Sequence, residues 1–227
     1  FEPANLEINF VHLDSFQYVA ALFLQRMAIE IKLEKTETNL FCSSKWWGNP
    51  DLPPDAEYPM MKVSEDGEES EYPLTFICQM DCEDIAPLDK DGLLPHEGML
   101  YFFAAIDDFN GYESPEHFPA GAWPAKAVRV KYAKQINMET FNSCILVDDE
   151  ENELAEEALK ANLEDGGTDG LSLLPGDSPQ QGCVCLLRLR TDAAAGLQFP
   201  GGGSFDILIK ESDLRFGNWK KAFGYLR

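Results

Sequence analysis

Residues 98–109 read Gly-Met-Leu-Tyr-Phe-Phe-Ala-Ala-Ile-Asp-Asp-Phe, and residues 203–214 read Gly-Ser-Phe-Asp-Ile-Leu-Ile-Lys-Glu-Ser-Asp-Leu. Each stretch opens on a glycine and runs through apolar residues. Each ends in an acidic-apolar pair, Asp108-Phe109 or Asp213-Leu214, 10 residues after its glycine. The two glycines are 105 residues apart. A second apolar run precedes each stretch, at residues 74–81 (LTFICQMD) and 183–190 (CVCLLRLR). Residues 98–106 are apolar on both faces, as a central strand must be. Strand, loop, glycine and strand thus occur twice, and self-similarity of this kind marks an internal duplication. It favours a pseudo-symmetric sheet with a shared core over two independent domains.

Working outward, residues 127–133 alternate, with Val128, Val130 and Tyr132 on one face and Arg129 and Lys131 on the other, which predicts a half-exposed strand. Residues 39–42 and 141–147 are expected as further short strands. Between them, SSKWWGNPDLPPDAEYP (43–59) is rich in Pro, Gly and Asn and predicts an irregular ordered loop. Residues 63–72 form a polar, acidic tongue, expected as a surface loop or hairpin tip. Ser15 can cap a helix over residues 15–33, with Ala20, Phe23, Leu24, Met27 and Ile31 at helical spacing. Residues 150–163 read as an acidic surface helix with Leu154, Ala155, Ala158, Leu159 and Ala161 inward. The tail after Ser212 reads as a short helix or coil anchored by Leu214, Phe216, Trp219 and Phe223. The expected fold is therefore α+β: largely antiparallel sheets from two related strand-pair halves, with an N-terminal helix and peripheral helices. The expected organisation is one compact domain over 1–227, with halves at 34–135 and 136–227.

The chain has 227 residues, 44% hydrophobic and 11% aromatic, which is ample for a core. Forty acidic residues against 18 basic ones give a formal net charge of −22. That charge repels phosphate backbones and anionic lipid, so nucleic acid and membrane are not the expected partners, and a basic protein is. The competing reading of the charge is solubility alone. No run approaches the roughly 20 apolar residues of a membrane-spanning helix. Of the six cysteines, Cys78, Cys144, Cys183 and Cys185 sit inside apolar runs, which points to core thiols and a reducing, cytoplasmic compartment. The chain opens on Phe1, so a removed signal peptide stays open as an alternative.

The motifs of common active sites are incomplete. His12, His96 and His117 show no metal-ligand spacing, and Cys183-x-Cys185 lacks two further ligands for zinc. Asp89-Lys90-Asp91-Gly92 opens like a calcium loop, but its twelfth position is Leu100. Gly201-Gly202-Gly203 has no lysine nearby for phosphate. Cys42, beside the tryptophan loop, has no evident base. No cofactor or metal is expected, and the reading leans away from an enzyme. The candidate binding residues are Trp46, Trp47, Tyr58, Gln79, Asp81 and Asp108. Trp46-Trp47 with Tyr58 offers an aromatic recognition surface, since adjacent strand residues face opposite sides; the alternative wedges both tryptophans into the core. Asp81 and Asp108 lie at strand ends, where acids serve catalysis or cap turns.

Several motifs carry a resemblance to a known family. Gly48-Asn49-Pro50-Asp51-Leu52-Pro53 is followed by Tyr58-Pro59, then by Phe76-Ile77-Cys78-Gln79, then by the run Pro95 to Phe103 with Gly98, Leu100, Phe102 and Phe103 in register. In this order, from about Phe41 onward, the chain resembles the YwqG-like family of bacterial proteins, a domain of unknown function. The resemblance implies an α+β fold with a duplicated sheet and no assigned activity. Many members carry Leu-Gln-Ile-Asp where this chain has Leu187-Arg188-Leu189-Arg190, and Trp-Gly-Asp where it has Phe199-Pro200-Gly201. A family site built on those polar residues would be altered here. Two functions follow as expectations: a non-enzymatic binding protein whose acidic face engages a basic partner, as an immunity protein does, or an enzyme or small-ligand binder with a pocket between the halves, using Trp47, Gln79 and Asp108.

Overall fold

A computed structural model describes residues 28–65, 67–148, 150–167 and 169–227. Fifteen strands run through these residues. They are β1 (Ala28–Glu34), β2 (Lys45–Trp46), β3 (Asp51–Leu52), β4 (Met60–Glu65) and β5 (Glu68–Pro73), then β6 (Thr75–Asp81), β7 (Met99–Ala104), β8 (Gly121–Ala122), β9 (Val128–Ala133) and β10 (Asn142–Ser143). The last five are β11 (Leu159–Gly166), β12 (Ser172–Leu173), β13 (Cys183–Arg190), β14 (Ser204–Lys210) and β15 (Phe223–Leu226). Two short α-helices interrupt them, α1 (Cys82–Ile85) and α2 (Glu211–Arg215). Eleven strands form one sheet in the order β8-β15-β14-β13-β12-β1-β11-β2-β6-β7-β9, antiparallel at each pairing.

The fold is therefore mostly β, not α+β: 40% strand against 11% helix, arranged as one large curled antiparallel sheet. Two expected helices account for the difference. Residues 15–27 of the N-terminal one, with its cap and most of its stripe, lie outside the described residues, as does His12. Its described end is strand β1. There Ile29 and Ile31 are buried and alternate with Glu30 and Lys32, a period of 2 that fits a strand. β1 is hydrogen-bonded on both flanks, to β11 and β12. The acidic helix expected over 150–163 is instead extended, ending in β11, where Leu159 and Ala161 face the core. Its Glu, Ala and Leu content favours a helix, but pairing with β1 and β2 overrides that weak local preference. The strand expected at 39–42 forms later, at Lys45–Trp46. The tail adds β15 as well as α2, and the acidic tongue is the β4–β5 hairpin.

The sheet reads alike outward in both directions from its centre. β1 faces β11 with Lys32 opposite Asn162 at the midpoint. On one side follow β12, β13, β14 and β15, with the two-residue β8 beyond it; on the other follow β2, β6, β7 and β9. β6 carries an extra residue, Ile77, against β7, and β13 carries an extra residue, Leu186, against β14. Such bulges kink a strand locally. The Ile77 carbonyl accepts the Trp47 N–H at 2.9 Å, and the Leu186 carbonyl accepts the Leu174 N–H at 3.2 Å. Trp47 and Leu174 both hold left-handed backbone, φ 56° and 46°. A Cβ on Gly98 would lie 2.1 Å from the Ala133 carbonyl oxygen, and one on Gly203 would lie 2.3 Å from that of Arg227. Each glycine thus lets the end of an outer strand pass close by. The strands β1 and β11 that begin these two series are exchanged: each pairs with the β2-like strand of the other series.

Two buried polar clusters occupy matching places beside the bulges. Two residues beyond Ile77, Gln79 donates to Asp51 Oδ2 at 2.8 Å, and Lys45 Nζ reaches the same oxygen at 2.7 Å. Two residues beyond Leu186, Arg188 grips Asp206 through Nε at 2.8 Å and a terminal nitrogen at 3.1 Å. Arg188 also donates to Asp177 at 2.6 Å, and Arg227 Nε reaches Asp206 at 2.9 Å. Burial works against the Arg188 charge, but the two carboxylates outweigh it and hold the guanidinium more firmly protonated than usual.

Removing one partner of a buried ion pair strands the other. Asp206→Ala is expected to cost about 3–5 kcal/mol in urea unfolding. The double variant Arg188→Met with Asp206→Leu should cost less than the single, because no unpaired buried guanidinium remains at position 188. Equal costs for the two would show that the pair is not what holds this region.

Candidate functional site

The turn after β2 shapes a cleft. Trp47 takes left-handed backbone, and Gly48, Asn49 and Pro50 carry the chain over to β3. Residues 144–148 and 150–156 are pinned against this turn: the Cys144 N–H donates to the Pro50 carbonyl at 2.8 Å, and the Gly48 N–H donates to the Glu156 carbonyl at 3.1 Å. The start of β6 and the 3-10 turn Asp107–Phe109 close the other side. Between them lies a cleft of about 300 Å³.

The cleft wall is aromatic and acidic. Trp47, Tyr58, Tyr72, Phe76 and Tyr112 contribute rings, and Asp107, Glu113 and Glu156 contribute carboxylates; among the described residues no Lys, Arg or His lines it. Trp47 is anchored through its indole N–H to the Ala195 carbonyl at 2.9 Å, and Tyr58 donates to the Leu74 carbonyl at 2.8 Å. Tyr112 donates to the Glu156 carboxylate. Asp107 is 8% exposed. Its Oδ1 accepts from Thr75 Oγ1 at 2.9 Å, while its buried Oδ2 has no partner. Burial, with a smaller push from Asp108, lifts its carboxyl above the usual range. Burial also raises the thiol of Cys144, which sits in the same wall, and the hydroxyl of Tyr58.

Of the residues that the sequence singles out, Trp47 and Tyr58 lie on this cleft. Trp46 is fully buried, edge-on to Trp47 with ring centres 5.5 Å apart, so both tryptophans are core residues and only Trp47 reaches a cavity. Gln79 belongs to the buried Asp51 cluster. Asp81 caps α1 by accepting the Glu83 N–H at 2.9 Å. Asp108 is exposed and holds His117 at 2.8 Å. The pair Asp107-Asp108 is visible in the sequence, yet it is Asp107 that turns inward. Cys144 and Glu156 carry no motif; the pairings of β10 with β3 and of β11 with β2, with the Gly48–Glu156 backbone bond, bring their segment here.

The bulge on β13 has a corresponding hollow, lined by Leu174, Gly176, Ser178, Cys183, Val184 and Cys185. Its volume is about 20 Å³, too small for an organic ligand. A broader depression of about 400 Å³ lies between Leu52, Lys131 and Trp219 and has no buried unpartnered group.

A carboxyl whose folded-state pKa is raised supports the fold below its unfolded value, near 3.9, and loses that contribution as pH rises through the folded value. Asp107→Asn removes this loss. The variant's stability relative to the parent should therefore improve in urea melts as pH is raised from 4 towards 7, levelling off once pH passes the folded-state value. A difference that stays flat over that range would show that Asp107 ionises without penalty.

No curated protein matches this chain. A family model described as a domain of unknown function, DUF1963, matches residues 44–166. The match runs from the start of β2 to the end of β11, so it takes in the contiguous half-sheet β11-β2-β6-β7-β9 and every lining residue of the cleft. Spanning more than half of the 227 residues, it places this chain in the DUF1963 family.

Proposed function

We propose that this chain is a binding protein rather than an enzyme, and that its ligand sits in the cleft between the Trp47 turn and residues 144–148 and 150–156. One observation carries the reading. The two bulged hairpins present equivalent places, and one holds about 300 Å³ while the other holds about 20 Å³. The larger volume falls within the range of small-molecule sites, and its wall combines apolar rings with a few polar groups as such sites do. The cleft's raised thiol and raised phenol support binding over catalysis, because a nucleophile is activated by a lowered pKa.

Three finer points belong to the same proposal. The matching bulges, glycines and polar clusters support two copies of one unit within a single domain, with the first strands exchanged. The loop 48–53 and the Gly98 strand support a YwqG-like assignment inside the DUF1963 family. The six free thiols support a reducing, cytoplasmic setting, and the net charge of −22 supports a basic protein as partner, of which an immunity-type pairing is one form. No helix among the described residues is long and apolar enough to cross a membrane.

Ala155 stands in the cleft wall and is only partly buried, so Ala155→Trp fills the cavity without disturbing the core. A fragment set of aromatic amines, alcohols and acids, screened by ligand-observed NMR, is expected to give hits on the parent that vanish in the variant. The same hits should slow alkylation of Cys144. Hits that survive Ala155→Trp, or an empty screen, would overturn the cleft as the site.

A further inference from the structure

We propose that the cleft takes an organic ammonium group carried on an apolar or aromatic body. The inference rests on the cleft being the binding site and adds the chemistry of its occupant.

Three independent features of the wall agree. The rings of Trp47, Tyr58, Tyr72, Phe76 and Tyr112 surround the space, and ring faces attract cations. The charged side chains on the wall are all acids: Asp107, Glu113 and Glu156. Asp107, finally, is a buried carboxyl group with no cation beside it among the described residues. Its Oδ2 has no hydrogen-bond partner, and the charged neighbour acting on it is another acid, Asp108. Buried charges in proteins are ordinarily paired, as Asp51 is with Lys45 and Asp206 is with Arg188 in this same sheet. Asp107 lacks the countercharge that both of those acids have. An ammonium in the cleft supplies it. Because Oδ2 is sealed from solvent, the attraction acts through the wall, where a low dielectric preserves it.

The cation is organic rather than a metal ion. A metal needs several ligating side chains at one point, and no such group of three His, Cys, Asp or Glu gathers among the described residues. The hollow at the β13 bulge sharpens the contrast. Leu174 stands there in the place of Trp47, and the wall carries no acid and no aromatic ring.

The ammonium can belong to a free small molecule or to a lysine side chain of a basic protein. Four probes separate the possibilities by titration calorimetry on the full chain: phenethylammonium, neutral 2-phenylethanol, anionic 3-phenylpropanoate, and a capped peptide with one central lysine. Phenethylammonium or the lysine peptide is expected to bind at least about tenfold more tightly than 2-phenylethanol, with the anion weakest. Which of the two cations binds tells a free amine from a protein side chain. Asp107→Asn should close most of the gap between ammonium and alcohol while leaving the alcohol unchanged. Glu156→Gln, at an exposed position that does not threaten folding, should narrow the gap by a smaller factor. If alcohol and ammonium bind equally and both are lost in Ala155→Trp, the cation assignment fails and the cleft stands. If none of the four probes binds, the cleft fails with it.

Discussion

The antiparallel pairing of β1 with β11 is the contact on which the rest of the sheet depends. Seven residue pairs, from Ala28 opposite Gly166 to Glu34 opposite Lys160, join the two half-sheets at the centre, and β8, from the chain between β7 and β9, pairs with β15 at the far end. Each of these strands also crosses to the other half, β1 onto β12 and β11 onto β2. Neither half therefore closes its own sheet. Deleting β1 would leave β12 with an open edge, and an exposed row of unpaired N–H and C=O groups is a liability in water. The exchange turns two bulged hairpins into one continuous structure with a shared core, and it explains why the unit is extended at both places where composition favours helix.

Sequence reading recovered the hairpins and missed the strands that join them. Residues 74–81, 98–106, 183–190 and 203–210 are strongly apolar, and their strand character is intrinsic. A Cβ on Gly98 would meet the Ala133 carbonyl oxygen and one on Gly203 that of Arg227, so each glycine answers to a close backbone contact. β1 and β11 are different. In Ala28–Glu34 the alternation is legible but lies beside a longer helical stripe, and in 150–163 the composition is that of a helix. Their conformation comes from pairing partners about 130 residues away, which local pattern does not encode. The candidate site shows the same division. Trp47 and Tyr58 stand out by type, whereas Asp107 differs from Asp108 only in which side of a 3-10 turn it occupies.

The two polar clusters show how one geometric place accommodates different chemistry. Beside one bulge a neutral Gln79 and Lys45 satisfy Asp51, helped by Ser143 at 2.6 Å and the Cys42 N–H at 2.8 Å. Beside the other, Arg188 and Arg227 share Asp206 and Asp177. Each solution leaves the carboxylate fully paired. Desolvating such groups is costly, and a paired cluster returns little net stability over an apolar core. Its effect is on specificity, because a strand slipped by one residue would leave an unpaired buried charge.

The cleft depends on the same economy. Every other deeply buried acid in the sheet core has a cation or a set of N–H and O–H donors: Asp51 has Lys45, Asp206 has Arg188, and Asp89 has the Leu94 N–H at 2.7 Å with His96 at 3.4 Å. Asp107 has the Thr75 hydroxyl and its own backbone N–H, and its second oxygen has no partner among the described residues. A carboxyl in that state destabilises the fold as it ionises, and an Asn at 107 would keep the Thr75 hydrogen bond without the charge. The acid therefore contributes nothing to folding that a neutral residue would not supply. The ammonium proposed for the cleft would give an ionised Asp107 the countercharge that Lys45 gives Asp51 and Arg188 gives Asp206.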